Sequence, residues 1–502
     1  MAASAAISHR GPALANAPEP RADWQQGALF LGLVAILVAA PLPLASNRPW
    51  ALGMLAMAIW ALLSLGAIYW TLHRGELAAR LAAGGWAVAC LTGFCMLVAA
   101  QLPELAPEMR RWFVGTTTSG GPLSLDPAST RLYLLTAATH LGGFLATLLL
   151  VHERRHLLGL AAALVVSGLV QSIVGVGRLA YGDTYVYLGE DFAPDRALGT
   201  FANSDHLANY LALCLSLGLG LLLARFELQA PARNRYERWV RLLDFMLSTK
   251  MLLRLMLIVM VIALVLTRSR MGNLAFFTSL LVVCSMLAWR SPQLRRGALW
   301  LVASLLVVDL LVVGEWVGLD RVVQRLEQTS VTDARKKASD SEETFEQRQA
   351  GALDALAMVR ERPLSGFGGG TFYTAFPLFK GPKAYGGRYD HTHNDYVEIA
   401  ADTGLVGLSL LAAVVLLAAR RIAQLMRDEE PRHHRGLATG LAMALSVMLM
   451  HSLVDFPLQI PANALTFSVL LATAFCMRPR QPAKDRVPVR AVRRPATSPP
   501  ED

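Results

Sequence analysis

The stretch His391-Thr392-His393-Asn394-Asp395-Tyr396 runs directly into a largely apolar segment at 397–419. That segment is long enough to cross a hydrocarbon core, which takes about 20 apolar residues in a helix. The hexamer therefore stands where a polar loop enters a membrane. Two imidazoles, an amide, a carboxylate and a phenol lie within six residues. They read either as a capped helix start, with Asn394 or Asp395 as N-cap and the histidines solvated, or as a set of proton-transfer groups at a membrane face. The rest of the chain decides between the two.

Apolar runs recur from end to end. Of 502 residues, 54% are hydrophobic and only 17% are charged, outside the usual soluble range. Spans are expected at 28–45, 50–71, 82–102, 132–151, 157–180, 204–224, 251–267, 272–289, 297–318, 397–419, 436–456 and 461–477. The expected fold is an all-α polytopic membrane protein of about 12 transmembrane helices with one long periplasmic loop containing an amphipathic helix. Residues 1–27 read as a disordered cytoplasmic tail, 28–318 as helices one to nine and 319–396 as a periplasmic catalytic loop. Residues 397–477 read as the last three helices and 478–502 as a basic cytoplasmic tail. The first run reads as an uncleaved anchor.

Cys90, Cys95, Cys214, Cys284 and Cys476 all fall in apolar runs, as small packing residues and not as a disulfide or thiolate metal framework. The net charge of +10 resides mostly in short loops, so it reports topology and not a nucleic-acid partner. Basic clusters near Arg74 and Arg80, at Arg154-Arg155, at 225–250, at 290–296, at 420–435 and in the C-terminal tail fall on one side. Both termini are then cytoplasmic. The loops at 103–131, 181–203 and 319–396 face the opposite compartment, which in a bacterial inner membrane is the periplasm.

Within the long loop, Phe345, Ala352, Leu353, Leu356, Ala357 and Val359 recur at helical spacing, predicting a surface helix over 341–362 that Pro363 ends. The glycines that follow, Gly366, Gly368, Gly369 and Gly370, lack the Lys-Ser/Thr of a nucleotide-binding loop, so ATP is not expected. No long internal repeat is evident, which counts against a transporter built from two similar halves.

Three further polar groups sit at span ends. Arg268 and Arg270 lie between two apolar runs on the charge-poor face, where ionisable groups mark either a substrate pathway or headgroup snorkelling. Gly272 after them favours a tight turn with close backbone approach. Asn203, Asp205 and His206 open another span, as a cap or as part of a site. His451 and Asp455 are spaced to share one helix face, self-satisfied or functional. All of these fall on the same side as the hexamer. Arginine pairs offer planar bidentate donors for phosphate oxygens, and a histidine of ordinary pKa can take a proton from an attacking hydroxyl. The combination is a pyrophosphate clamp with a general base. His391 and His393 alternate as metal ligands might, but no second ligand pair stands nearby and arginines crowd the site, so no metal is expected.

These short motifs resemble the bacterial O-antigen ligase and O-antigen polymerase superfamily. The residues are Gly199-Thr-Phe-Ala-Asn203 before a span, Ser269-Arg270 after one, Arg348 followed by Pro363-Leu-Ser-Gly-Phe-Gly, His393-Asn-Asp-Tyr, and Gly404-Leu-Val-Gly, within roughly 190–460. The resemblance implies glycan transfer from an undecaprenyl-pyrophosphate carrier to an acceptor hydroxyl, with no metal, nucleotide or other cofactor. It implies catalytic roles for His393, Arg270 and Arg348, with His391 secondary and Asp455 as a helix-end carboxylate. Arg196, Asn203, Arg268, His391, Asn394, Tyr396 and Asp455 are the expected substrate-binding residues. Glu398 stands where the family often has Gln. The acceptor is left open: lipid A core for a ligase, a second lipid-linked glycan for a polymerase, or a protein serine for an O-oligosaccharyltransferase. A flippase or transporter of lipid-linked glycans is the alternative outside enzymes. Membrane lipids are expected partners, nucleic acid is not, and the oligomeric state is unassigned.

Overall fold

The computed structural model describes residues 24–72, 74–104, 124–181, 196–224, 234, 236, 248–290, 345–384, 386–427 and 430–477. Among them regular structure is helical, with no strand. In chain order the helices are α1 (Trp24–Ala39), α2 (Pro49–Leu72), α3 (Arg74–Ala83), α4 (Gly85–Ala100), α5 (Pro127–Leu150) and α6 (Arg154–Tyr181). Then come α7 (Ser204–Ala224), α8 (Thr249–Leu266), α9 (Arg270–Arg290), α10 (Phe345–Glu361), α11 (Asp395–Leu425), α12 (Arg432–His451) and α13 (Pro461–Cys476).

The all-helical expectation holds among the described residues, which account for part of the expected spans. Five described helices are long and apolar enough to cross a membrane: α2, α5, α6, α7 and α11. A sixth is added if α3 and α4, bent by 78° at a short break, make one span. Helices α1, α9 and α13 are apolar but shorter. The expected span at 297–318, both tails beyond the described residues and the first part of the long loop lie outside the description. Helix α1 begins at Trp24, inside the stretch expected as a tail.

Helix α7 is the axis of the bundle, buried along almost its whole length. Small residues let α12 approach it. A Cβ on Gly440 would lie 2.7 Å from the Ser216 carbonyl, and one on Gly436 would lie 2.4 Å from the Ala224 nitrogen. Stripes of small residues are how helices in lipid gain dispersion contact, since burial of apolar side chains gains little there.

One end of the bundle is tied by polar contacts. Asn463 Nδ2 donates to the His206 carbonyl (3.0 Å), Ala197 N to the Leu266 carbonyl (2.9 Å), and Asp395 N to the Ser452 carbonyl (3.0 Å). The starts of α7, α9, α11 and α13 and the ends of α8 and α12 therefore share this end.

The loop carries its own small core. Ala355, Met358, Phe367, Phe372, Phe376 and Tyr389 pack on Ala401 of α11. The predicted loop helix is present as α10, with 341–344 outside the described residues, and it ends before Pro363. Its buried face differs from the expected stripe: Gly351, Ala355 and Met358 face inward while Leu353 is exposed. The reason is the Tyr389 ring, which lies so close that a Cβ at 351 would come within 2.8 Å of it, and whose hydroxyl donates to the Gln347 carbonyl (2.8 Å).

The span after the hexamer is not one straight helix. At Gly404 the backbone turns to φ 70° and ψ 177°, and the Gly366–Gly370 strip docks into the break. Phe367 N donates to the Ala401 carbonyl (2.9 Å), Gly368 N to that of Asp402 (2.9 Å), and Leu405 N to that of Pro363 (2.7 Å). Gln101, at the end of α4, clamps the same place by donating to the Ser365 carbonyl (2.7 Å) and accepting from Gly369 N (2.9 Å). The interrupted helix is tolerated because these partners satisfy the freed backbone groups.

Candidate functional site

The hexamer folds as a cap and as more than a cap. Asn394 is the N-cap of α11, its Oδ1 accepting from Val397 N (3.2 Å), and its Nδ2 donates to the Leu453 carbonyl (2.9 Å). Asp395 is the first helical residue, buried, accepting from Ser452 Oγ (2.8 Å) and Leu458 N (3.0 Å). Tyr396 donates its hydroxyl to the Leu449 carbonyl (2.8 Å). Asn394, Asp395 and Tyr396 thus fasten α11 to the end of α12.

The two histidines are held apart in role. They do not lie in an extended segment: His393 adopts φ 55°, in the left-handed region. For a non-glycine residue that conformation costs energy and is found where surrounding structure enforces it. His391 Nδ1 lies 2.7 Å from Oε1 of buried Glu398, whose Oε2 accepts from Thr392 N (2.8 Å). Burial alone would lower the His391 pKa, but the Glu398 carboxylate reverses this and raises it above the ordinary imidazole value. His393 turns instead to Asp455, with Nδ1 to Oδ1 at 3.5 Å.

Asp455 is a hub. It lies beyond the end of α12 and not on its helical face as the spacing suggested, because the helix ends at His451 and Asp455 N bonds back to the His451 carbonyl (3.1 Å). Its carboxylate meets His451 Nε2 at 3.4 Å, His393 Nδ1 at 3.5 Å and His206 Nε2 at 4.0 Å. Burial would push this carboxyl up, but hydrogen bonding from His393 and His451 and the nearby His206 hold it well below the ordinary carboxylate range. The next residue, Phe456, stacks on His391 (4.1 Å between ring centroids) and meets His206 (4.7 Å) and His393 (5.0 Å) edge-on. Four imidazoles from three parts of the chain thus surround the Asp455-Phe456 pair.

The other expected residues stand at the same end on neighbouring elements. Asn203 caps α7, its Oδ1 accepting from Asp205 N (2.8 Å). Arg268 and Arg270 are exposed in the junction between α8 and α9. There the chain reverses within Thr267–Ser269, Arg268 adopts φ 52°, and Ser269 Oγ caps α9 by accepting from Gly272 N (3.1 Å). Gly272 is helical and not in a turn. The expected close approach is present, since a Cβ there would lie 2.5 Å from that of Ala208. Arg196 precedes Ala197, which bonds to the end of α8. Arg348 is half-buried on α10, beside the Tyr389 clamp that leads into the hexamer.

Sequence reasoning missed Glu398 as the partner of His391, Phe456 as the shared ring, and Asn209, whose Nδ2 lies 3.3 Å from His451 Nδ1. Among the described residues one group of His and acidic side chains could hold a metal: His152, Glu153 and His156. It lies at the opposite end of the bundle, with Arg155 on Glu153 and Arg80 and Gln26 on His152. It is no part of the Asp455 cluster.

Chemically, the arrangement offers a buried carboxylate beside an imidazole and a second imidazole paired with Glu398, with arginines on other elements of the chain. No curated protein matches the chain. The O-antigen ligase family matches residues 255–412, from within α8 through the arginine junction, α10 and the hexamer to the helix break in α11. Over that segment the chain is similar to the O-antigen ligase family.

Proposed function

We propose that this protein transfers a glycan from an undecaprenyl-pyrophosphate carrier to an acceptor hydroxyl at the periplasmic face of a bacterial inner membrane, as an O-antigen ligase or a related polymerase. The family match ties the chain to glycan transfer in surface-polysaccharide biosynthesis. The observation that carries the finer reading is His393 held in a strained conformation with Nδ1 toward the buried Asp455 carboxylate. That contact favours the Nδ1–H tautomer and leaves the basic lone pair on Nε2. In the reaction, Nε2 takes the proton of the acceptor hydroxyl as its oxygen attacks the anomeric carbon. The bond from that carbon to the pyrophosphate oxygen breaks, and the electron pair leaves with the lipid pyrophosphate, inverting the anomeric centre. Arg270 and Arg348 are assigned to the pyrophosphate, with Arg196, Arg268 and Asn203 at the donor rim and His391, Asn394 and Tyr396 shaping the acceptor side. No residue of this scheme calls for a metal or other cofactor.

A cavity of about 140 Å³ supports a lipid-linked substrate. It lies between α4, α5, α11 and α13, is lined mainly by apolar side chains, and reaches Leu458 and Gln459, just past the Asp455-Phe456 pair.

The test is complementation of a deletion strain followed by glycan analysis. The deletion is expected to leave polymer on the carrier and none on lipid A core for a ligase, or single repeats for a polymerase. Arg270→Lys with Arg348→Lys keeps both charges but loses the bidentate fork, and is expected to complement poorly at wild-type protein level. Full complementation by the double variant would remove the clamp, and an unchanged glycan profile in the deletion would remove the function.

A further inference from the structure

Beneath the Asp455 carboxylate lies a chain of side chains that the transfer scheme does not use. Asn209 of α7 is fully buried, and its amide nitrogen, a donor only, lies 3.3 Å from His451 Nδ1. Nδ1 must then accept, which puts the His451 proton on Nε2, and Nε2 lies 3.4 Å from Asp455 Oδ2. The other carboxylate oxygen, Oδ1, lies 3.5 Å from His393 Nδ1. Each link fixes the next. His451 is 1% exposed and Asp455 3%.

We propose that Asn209 and His451 are positioning residues for the transfer reaction: they fix the tautomer and orientation through which Asp455 holds His393 with its lone pair on Nε2. The proposal rests on His393 being the base. Contacts of 3.4–3.5 Å are long for the resting protein, and hydrogen bonds in catalytic relays commonly tighten once substrate is bound. The fold explains the placement. Asn209 stands at the second turn of α7, His451 at the last residue of α12, and the close packing of these two helices brings them together although they are 242 residues apart in sequence. Other ionisable groups face the relay from every side: His206 and Asp205 from α7, His391 from the loop, and Asp395 and Glu398 from α11. Asn209 and His451 are the pair whose donor and acceptor directions set a sequence of protons.

The experiment measures kcat, KM for donor and the acid limb of the kcat/KM–pH profile in full-length purified protein, for His451→Leu, His451→Gln, Asn209→Ala and His393→Ala. His451→Leu removes the donor to Asp455 and is expected to lower kcat by on the order of 10- to 100-fold, the usual effect of removing a group that orients a functional ligand. KM for donor should stay near wild type. The acid limb should move to lower pH, because a carboxylate no longer aligned on His393 stabilises its cation less. His451→Gln places an amide N–H near the position of Nε2 and should recover most of kcat and the limb. Asn209→Ala removes little volume and should give a smaller change in the same direction, keeping the test open if His451→Leu fails to fold. Wild-type kcat and pH profile in both His451→Leu and Asn209→Ala would overturn the proposal. Equal loss in His451→Leu and His451→Gln with an unmoved limb would also overturn it, since that is the mark of a purely structural role. If His393→Ala itself keeps full activity, the base assignment fails first. An inactive His393→Ala beside unaffected His451 and Asn209 variants would defeat the relay alone.

Discussion

His393→Ala is expected to lose transfer by about 10²- to 10⁴-fold in kcat while the folded protein still binds lipid-linked donor. A hydroxyl is a weak nucleophile until its proton is accepted, and the imidazole beside Asp455 is the group the geometry orients for that task. The lipid pyrophosphate needs no proton to leave when arginines neutralise it, so a single base suffices. His391 is the one neighbour able to stand in, and its geometry argues against it. Its Nδ1 is 2.7 Å from the buried Glu398 carboxylate, which raises its pKa and engages that nitrogen. His391→Ala should therefore keep much of the activity. The comparison is a single-turnover assay of both variants with lipid-linked donor, with donor binding measured separately. A reversed ranking would move the base to His391, and full activity in both would end the mechanism.

The second large effect is on stability. Gly404→Ala places a Cβ about where the Leu364 carbonyl oxygen already lies, 2.0 Å away, on a backbone with φ 70° and ψ 177° that only glycine adopts readily. Backbone strain of about 1–3 kcal/mol and overpacking of a similar size add up to a substantial fraction of a typical stability of about 5–15 kcal/mol. Relief would require withdrawing the Pro363–Gly370 strip from the helix break, and with it the bonds to Ala401, Asp402 and Gln101. The expected result in detergent is a fall in thermal midpoint of roughly 5–10 °C or loss of the monodisperse species. A control at Gly386, where a Cβ meets nothing within 4 Å, should behave as wild type. Gly404→Ala with an unchanged midpoint would show that the strip is not docked as described.

Much of the site's outline is readable in the sequence because it depends on local rules. The cap at Asn394, the end of α10 before Pro363, the short arginine junction between two apolar runs and the gathering of polar groups at one end all follow from spacing and from the cost of polar groups in lipid. What was not legible depends on contacts between distant segments. The pairing of His391 with Glu398 reaches across the helix start, and a residue inside an apolar run gave no sign that it turns back toward the loop. Phe456 carries no polar group to single it out in the sequence, and it is the ring shared by three imidazoles. Asn209 reads as one polar residue in a buried helix until α12 is set beside it. The helix break was hidden because a single glycine in an apolar run is usually tolerated as helix at a cost of about 1 kcal/mol. The misjudged face of α10 has a similar origin: its packing surface is made of Gly351 and Ala355, whose small size serves the Tyr389 ring and leaves no hydrophobic stripe to see.

The central claim is covalent transfer at the Asp455–His393 site. It is tested most directly by mass spectrometry of the acceptor after purified protein is incubated with undecaprenyl-pyrophosphate-linked glycan and either lipid A core or a second lipid-linked glycan. The account predicts acceptor increased by the mass of the glycan, with inverted linkage and release of undecaprenyl pyrophosphate, and no such product with His393→Ala. Unmodified acceptor from folded, donor-binding protein, with labelled donor found instead on the opposite leaflet of proteoliposomes, would contradict it and make the protein a transporter of lipid-linked glycan.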